Sequence, residues 1–382
     1  MKFFVLGHRA AGHHISHARL LLEDDKTYGI VATREFLAAL EKEYGPLPPE
    51  RSVLVLEDEA VARAGFFGAL RDVLAESGAC ANGCELFSTG LDDFWRPLLR
   101  SALLKRPLLP HGCAFSGIWI AANFHYLPRL HPRKLLSRFV LGRILRAGGN
   151  SAPKSRIFFF NEEVYDWARR AFPDRAESLF WCPDPPTHED REFHPSRMPT
   201  EARMLPGEAM LLMAGRHGLR KGTVWATRAF RDWRGVPMHL VIAGDSTRCP
   251  TLEEDIRKLP PSIRVTRLNR WLADEELDAL YDAATAVLLP YRHFGGSSGI
   301  FVNALDHGKP VVAPDYGLIA CRVRALGCGS LYSHDSVESF RDAVAGVAEN
   351  PSKYFDLSKA SRFLANNSKQ AYLKAIHERI LP

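Results

Sequence analysis

Short apolar runs alternate with amphipathic stretches along most of this chain. In the second half we predict strands at 209–214, 239–243, 263–265, 286–289 and 310–313, and helices at 223–233, 252–259, 274–283, from about 298, and after 336. In the first half we predict strands at 2–6, 53–56, 118–121 and 157–160, with helices at 15–23 and 162–172. Alternation of this kind predicts α/β layers built on parallel sheets.

The chain is long enough for two domains. Its 382 residues exceed the size of one ordinary core. Residues 182–207 carry six prolines and many charges but little periodicity, which is typical of a domain boundary. We predict an N-terminal Rossmann-like domain at 1–190, a linker at 191–206, a C-terminal Rossmann-like domain at 207–352 and a helical segment at 353–382.

Composition narrows the class of protein. Hydrophobic content of 46%, charged content of 25% and a formal charge of +6 are typical of a globular protein that meets anionic small molecules or a membrane surface. We expect no nucleic-acid partner. No apolar run reaches the roughly 18 residues of a membrane span, and the one near the N-terminus is too short for a signal peptide. The seven scattered cysteines lack zinc-site spacing. We therefore expect a cytoplasmic protein without a metal.

A glycine- and serine-rich loop, HFGGSSG, leads from a predicted strand into a predicted helix. Glycines allow positive φ and close approach of a ligand, and the first amides of a helix carry partial positive charge. Ser297 and Ser298 add hydroxyl donors beside Gly296, Gly299 and Ile300. The loop predicts a phosphate-binding site. The alternative is a serine that only caps the helix after a glycine turn.

A second loop, GRHGLRKG, follows the strand predicted at 209–214. It places Arg216 and Lys221 five positions apart across the turn at Gly218. Both would lie beyond the carboxyl end of a strand, on the same edge of the sheet as the glycine-rich loop. Two fixed cations there suit a diphosphate whose charge must be dispersed. The alternative is a solvated basic turn, and Arg220 is expected to face solvent.

These stretches, taken together, carry a family resemblance. They are GRHGLRKG (215–222), LVIAGDS (240–246), RWLADEELDALYDAATAVLLPY (270–291), SSGIFVNALDHGKPVVAPDYG (297–317) and SHDSVESFRDAVAGV (333–347). The second half resembles the C-terminal domain of GT-B glycosyltransferases, in the large retaining group that includes phosphatidylinositol mannosyltransferases and sucrose synthases. The resemblance implies two Rossmann-like domains facing across a cleft, with the last helical segment packing back toward the first domain.

The resemblance also implies roles for individual residues. Arg216 and Lys221 would bind the diphosphate of a nucleotide sugar and assist its departure. Arg270 and Trp271 would border the base, although Trp271 could equally be a core aromatic. The family usually has two glutamates at the glycine-rich loop, where this chain has Gly295 and Asn303. Asn303 can still hydrogen-bond a ribose, but Gly295 cannot replace a carboxylate that contacts the donor sugar.

The first half matches the family in outline. GHHISHARLL (12–21) resembles its glycine loop and following helix, which places Gly12 and His13 near the donor phosphates. NFHYLP (123–128) matches a position where the family often has a histidine close to the transferred sugar. That residue would be His125, and the alternative is a polar loop residue. The nearby histidines, His8, His13, His14 and His17, cannot be ranked from the sequence.

The stretch 129–146 is basic and amphipathic. Its cations are Arg129, Arg133, Lys134, Arg138, Arg143 and Arg146, and its apolar residues near helical spacing are Leu135, Leu136, Phe139, Val140, Ile144 and Leu145. Such a helix suits an anionic membrane surface. The alternative is a core-packed helix with a charged outer face.

The predicted function is retaining transfer of a sugar, without a metal, from a UDP- or GDP-sugar to a glycan or lipid-linked acceptor of a bacterial surface polysaccharide pathway. No other cofactor is expected. The enzyme would be cytoplasmic or peripheral at the inner face of the membrane. Two other functions stay open. One is a non-catalytic nucleotide-sugar-binding protein, which the missing glutamates favour, and the other is a sugar-nucleotide epimerase of the same fold.

Overall fold

The chain divides into two compact units. The computed structural model describes residues 2–10, 13–79, 81, 83–120, 123–151, 155–185 and 197–380, with the backbone alone at 13, 123 and 147–151. Unit 1 comprises Met1–Pro183 and Lys369–Pro382, and unit 2 comprises Asp184–Ser368. The division thus falls before the predicted linker at 191–206, and the segment 353–382 is shared between the units.

Unit 1 is built on one parallel sheet. Its described strands are β1 (Lys2–Gly7), β2 (Gly29–Thr33), β3 (Val53–Leu56), β4 (Cys84–Ser88), β5 (Cys113–Trp119), β6 (Ile157–Phe159) and β7 (Leu179–Trp181). The strand order is β3-β2-β1-β4-β5-β6-β7. The helices are α1 (His13–Asp24), α2 (Arg34–Tyr44), α3 (Asp58–Ala64), α4 (Phe66–Glu76), α5 (Trp95–Leu104), α6 (Pro132–Ser151) and α7 (Glu162–Ala171).

Unit 2 repeats this plan. Its strands are β8 (Ala209–Ala214), β9 (Met238–Ala243), β10 (Ile263–Leu268), β11 (Ala286–Leu288), β12 (Val311–Pro314) and β13 (Gly329–Tyr332), in the order β10-β9-β8-β11-β12-β13. Its helices are α8 (Thr223–Ala229), α9 (Leu252–Ile256), α10 (Asp274–Ala283), α11 (Gly299–Asp306), α12 (Gly317–Leu326), α13 (Val337–Glu349) and α14 (Leu357–Asn366). The neighbouring strands pair in parallel.

Each sheet has an apolar core on both faces. In β1, Phe4 and Leu6 enter one core of unit 1, whereas Phe3 and Val5 enter the other. The alternate residues of β8 divide between the two cores of unit 2 in the same way. Because side chains alternate across a strand and both faces are covered, the strands read as continuous apolar runs. The predicted α/β class, with two Rossmann-like units, is confirmed.

The last helix of the chain, α15 (Lys369–Ile380), belongs to unit 1. Tyr372, Leu373, Ile376 and Ile380 are buried in the same core as the apolar face of α1. His17 of α1 lies there too, with its ring centroid 5.0 Å from that of Tyr372 and 5.3 Å from that of Phe160. His17 is therefore a core residue of unit 1.

No helix in the described part of the chain is both long and apolar enough to cross a bilayer.

Burial of His17 makes the stability of the protein depend on pH. Burial lowers the pKa of His17 from 6.5 to about 4, so the folded state favours the neutral ring. As the pH falls, His17 takes up a proton in the unfolded chain before it does so in the folded protein. The contribution of the neutral His17 to the free energy of unfolding is therefore complete above pH 6.5 and is lost as the pH falls toward 4. Two buried histidines of unit 2, His217 and His239, have their pKa lowered to about 4 for the same reason.

We expect His17→Leu to reduce this pH dependence. Between about pH 7.5 and pH 5 the wild type should lose about 2 kcal/mol of unfolding free energy through His17 alone. The variant should lose about that much less, because leucine does not titrate. Urea unfolding at both pH values measures the difference, and His131→Leu, at a half-buried histidine outside the core, is the control. An identical pH dependence in His17→Leu and wild type would show that His17 is not buried as described.

Candidate functional site

Two loops meet where the strand order of unit 2 reverses. β8 and β11 are adjacent in the sheet, although the chain continues from β8 to β9 on one side and from β11 to β12 on the other. The loop 215–222 follows β8, and the loop 289–298 follows β11. The amide of Arg292 donates to the carbonyl of Arg220 at 2.9 Å, which joins the two loops directly. Reversal points of this kind form ligand-binding crevices in parallel sheets.

Glycines with positive φ allow these loops to approach so closely. Gly222 has φ 68°, and a Cβ there would lie 1.8 Å from the carbonyl oxygen of Pro290. Gly244 after β9 has φ 114°, and a Cβ there would lie 2.4 Å from the carbonyl oxygen of Gly215. A side chain at Gly215 would in turn meet the Cδ1 atom of Ile300 at 2.9 Å. The backbone around the crevice is therefore fixed by direct contact between loops.

Lys221 lies at the junction of the two loops. Its Nζ donates to the hydroxyl of Tyr291 at 2.5 Å, and that hydroxyl is 2.9 Å from the Oγ atom of Ser298. Burial lowers the pKa of Lys221, because the charged form loses its hydration. Within the described residues no carboxylate pairs with this ammonium group. An anion placed beside it would supply the missing negative charge.

Arg216 has a different environment. Its Nε donates to the Oδ2 atom of Asp245 at 3.2 Å, and the guanidinium group is largely exposed. The hydroxyl and amide of Thr247 donate to Asp245, and together with Arg216 they lower the pKa of Asp245 to about 2. Asp245 therefore stays ionised and compensates Arg216. Arg220 is exposed, as predicted, and its guanidinium lies 4.7 Å from the ring centroid of Phe294.

In the glycine-rich loop, the predicted positive φ angles are not found, and the alternative interpretation also fails. Gly295, Gly296 and Gly299 do not have φ in the left-handed range, which in this crevice is found at Gly215, Gly222 and Gly244. The side chain of Ser298 does not cap α11, so the alternative of a serine cap is wrong. The hydroxyl of Ser298 instead contacts the hydroxyl of Tyr291, in the loop after β11.

The hydroxyl groups of the loop are engaged within the protein. Ser297 donates to the Oδ2 atom of Asp184 at 2.5 Å and accepts from Nη1 of Arg322 at 3.0 Å. The amides of Gly299 and Ile300 at the start of α11 have no acceptor within the described residues. These two amides, unlike the serine hydroxyls, are therefore donors that a ligand can use.

Arg322 of α12 is a site residue that sequence reasoning missed. It is buried, its guanidinium lies 5.1 Å from the ring centroid of Phe363, and through Ser297 it is connected to Asp184. The stretch ACRVRAL predicts only a buried helix. It contains two arginines, and nothing in the sequence distinguishes the buried Arg322 from the exposed Arg324. Its position beneath the glycine-rich loop depends on tertiary packing.

The residues expected to border the base and ribose differ in burial and in hydrogen bonding. Arg270 forms a bidentate ion pair with Glu276 of α10, at 2.7 and 2.5 Å. Trp271 is 79% exposed, so the alternative of a core aromatic is wrong. Asn303 is buried on the inner side of α11, and Ile300 is half-buried against Gly215. Trp271 is the one whose side chain is freely available to a base.

In unit 1, His125 lies in a short 3-10 turn after β5 and is half-buried. Burial lowers the pKa of His125, so its ring is neutral at pH 7. Nζ of Lys134 donates to the carbonyl oxygens of His125 and Leu127 at 2.7 and 2.8 Å, which fixes the turn. Gly12 lies outside the described residues, and only the backbone of His13 is described.

A cluster of two histidines and an aspartate lies where the strand order of the unit 1 sheet reverses, between β1 and β4. The Nε2 atoms of His8 and His14 lie 3.0 and 3.4 Å from Oδ2 of Asp93. Nδ1 of His14 lies 3.3 Å from the hydroxyl of Thr89. Of the described residues, this cluster and a second one of His293, His334 and Asp335 each bring three ligand atoms within 4.8 Å and could hold a metal ion.

Part of unit 2 is similar to a known protein family. Residues 208–350 match the model of the family Glycosyl transferases group 1. This part of unit 2 is therefore similar to a group 1 glycosyl transferase domain. The match spans β8 to the end of α13 and so includes both crevice loops, Lys221 and α11.

Solved structures extend the likeness to the whole chain. Sucrose-phosphate synthase from Thermosynechococcus elongatus is similar with a TM-score of 0.65 at 15% identity, over 99% of this chain and 98% of that chain. HepE from Anabaena in complex with UDP is similar with a TM-score of 0.62 at 15% identity, over 99% of each chain. WaaG, a glycosyltransferase involved in lipopolysaccharide biosynthesis, gives 0.60 at 14%, over 99% and 98%. The chain therefore has the GT-B fold. No curated protein sequence matches it.

The tight approach of the two crevice loops predicts different stabilities for two glycine variants. Both Gly222→Ala and Gly308→Ala place a side chain at positive φ, which costs about 1 kcal/mol. At Gly308 the new Cβ meets nothing within 4 Å, whereas at Gly222 it meets the carbonyl of Pro290. We expect Gly222→Ala to lose at least about 2 kcal/mol more unfolding free energy than Gly308→Ala. Equal losses in urea unfolding would contradict the described contact between the loops.

Proposed function

We propose that this protein transfers a sugar, with retention, from a nucleotide diphosphate sugar to a glycan or lipid-linked acceptor. The observation that carries the proposal is Lys221, a half-buried ammonium group without a carboxylate partner in the described structure. It lies between the two crevice loops of a group 1 glycosyl transferase domain.

The chemistry of departure explains why such a site is useful. When the bond between sugar and diphosphate breaks, negative charge develops on the leaving phosphate oxygens. Lys221 would contact this charge, and the free amides of Gly299 and Ile300 would add two donors and the positive end of the α11 dipole. Arg216 would assist by shifting from Asp245 toward the ligand. These groups supply the positive charge, and we therefore propose a reaction without a metal.

The donor is proposed to be a UDP-sugar, with a GDP-sugar as the other candidate. HepE, which shares the fold, has been solved in complex with UDP and with UDP-glucose. Trp271 is exposed and can stack on a base. Gly295 supplies no carboxylate to the donor sugar, so we propose that other groups orient it. The role of His125 beside the transferred sugar stays a prediction from the resemblance.

Removing the ammonium group should weaken binding of the nucleotide. We expect Lys221→Met to raise the Kd for UDP about 30-fold or more, equivalent to about 2 kcal/mol, since a charge-assisted contact is lost. Gly299→Val should also abolish binding without unfolding the protein, because a Cβ there meets no protein atom within 4 Å. Titration calorimetry gives the affinities, and Lys258→Met, at a surface lysine paired with Glu254, is the control.

Unchanged UDP affinity in both Lys221→Met and Gly299→Val would overturn the proposed donor site. A thermal-shift panel of UDP, GDP, dTDP and their sugars identifies the donor, because a bound ligand raises the Tm. Transfer or hydrolysis of the best donor distinguishes the enzyme from a binding protein. Conversion of the sugar within the nucleotide would instead indicate an epimerase.

The surface of α6 supports a lipid-linked acceptor and a peripheral membrane location. Leu135, Leu136 and Phe139 are 51, 62 and 54% exposed, so the outer face of the helix is apolar at these positions as well as charged. The other apolar residues of the helix, Val140, Ile144 and Leu145, are buried in the core of unit 1. Arg133 and Arg143 are exposed on the same helix. Apolar side chains next to cations suit an anionic bilayer surface.

We expect the protein to co-sediment with liposomes that contain anionic lipid, and to do so less at high salt. Replacing both Arg133 and Arg143 with Glu should abolish this binding. Arg138 is left unchanged because its guanidinium packs 5.0 Å from the ring centroid of Trp167. The control replaces Arg234 and Arg257 of unit 2 with Glu, which gives the same net charge. Equal loss of binding in both double variants would show that net charge, rather than α6, causes the association.

A further inference from the structure

Unit 1 contains a cleft that the proposed donor site does not use. It has a volume of about 660 Å³ and lies where α4 and α5 face each other. Its lining includes four arginines, namely Arg71, Arg96, Arg100 and Arg106, and the rings of Phe66 and Phe94. No aspartate or glutamate lines it among the described residues. The volume lies within the range typical of small-molecule sites.

The four arginines are not compensated within the described structure. Several arginines elsewhere in the chain form ion pairs, as Arg34 does with Glu57 and Arg228 with Asp255. Among the described residues, none of the four side chains in the cleft has an ion-pair partner, and the guanidinium of Arg96 lies 5.3 Å from the ring centroid of Trp95. Arg96 and Arg100 are also four residues apart on α5, where two like charges destabilise a helix. An anionic ligand would remove this repulsion.

The wall of the cleft is aromatic and well packed. The ring centroid of Phe94 lies 5.2 Å from that of Phe66 and 5.3 Å from that of Phe67, and Phe66 and Phe67 are 5.5 Å apart. These rings fix one side of the cleft and offer an apolar surface to a ligand. The cleft thus combines several guanidinium groups with a rigid apolar wall.

We propose that this cleft binds a phosphate group, and that the phosphate belongs to the acceptor of the proposed transfer reaction. Guanidinium groups bind phosphate oxygens in a bidentate manner, and several around one cleft can share a dianion. The aromatic wall would hold the sugar or lipid portion next to that phosphate. The assignment to the acceptor rests on the proposed function, whereas the binding of phosphate does not.

Chemical protection of the arginines tests the proposal directly. Phenylglyoxal modifies accessible guanidinium groups, and peptide mass spectrometry reads the modification rate at each arginine of the full-length protein. Inorganic phosphate at ten times its Kd should slow modification of Arg71 and Arg100 about tenfold, because about a tenth of the sites stays free. Arg170 of α7, exposed and without a described ion pair, should react at an unchanged rate. Sodium chloride at equal ionic strength should protect none of them.

Two variants test whether the protection arises in the cleft, and two further probes identify the source of the phosphate. Arg100→Gln should abolish protection at Arg71, whereas Arg170→Gln, with the same loss of charge, should leave it intact. Glucose 6-phosphate protecting at lower concentration than inorganic phosphate would indicate a small phosphorylated acceptor. Protection by phosphatidylcholine vesicles with about 25% phosphatidylglycerol, absent without that lipid, would indicate a lipid phosphate.

The proposal is overturned if no phosphate-bearing probe slows modification at Arg71 and Arg100, or if Arg170 is protected to the same degree. This readout lies in unit 1, and the UDP affinity of Lys221→Met is read in unit 2. Either proposal can therefore fail while the other stands.

Discussion

The crevice of unit 2 depends on how the positive charge of the half-buried Lys221 is accommodated. Taking the ammonium group of Lys221 out of water is costly, and the described structure offers it a phenolic hydroxyl rather than a carboxylate. A carboxylate at that place would stabilise the empty protein but would compete with an incoming diphosphate. Tyr291 instead satisfies one hydrogen bond and leaves the charge available. The contact between the loop after β8 and the loop after β11, made possible by Gly222, holds this arrangement in place.

The sequence predicted unit 2 better than unit 1, for a physical reason. Most strands of unit 2 are apolar on both faces, so they stand out as runs between helices. In unit 1, β4 was not predicted because it contains the charged residue Glu85. That carboxylate is buried against Arg156 at 2.9 Å and accepts from the hydroxyl of Ser116. A strand that contains a charged residue lacks the apolar signature, and its partners come from distant positions.

The candidate site was predicted in its loops but not in its details. The turn chemistry and the parallel direction of the predicted strands were sufficient to place Arg216, Lys221 and the start of α11 on one edge of the sheet. Which hydroxyl faces a neighbour and which faces the crevice depends on side chains far away in the sequence, such as Arg322. The glycines that need positive φ are likewise Gly215, Gly222 and Gly244, because they lie where loops touch. Local composition does not reveal such contacts.

The hydrogen bonds of Asp184 give the glycine-rich loop a second significance. The chain enters unit 2 at Asp184 and leaves it after Ser368, and the amide of Asp184 donates to Oδ1 of the buried Asn367 at 3.3 Å. Both covalent connections of unit 2 therefore depart from one place on its surface. Ser297 binds the carboxylate of that same Asp184. The glycine-rich loop is thus hydrogen-bonded directly to the residue at which the chain enters unit 2, without any intervening helix.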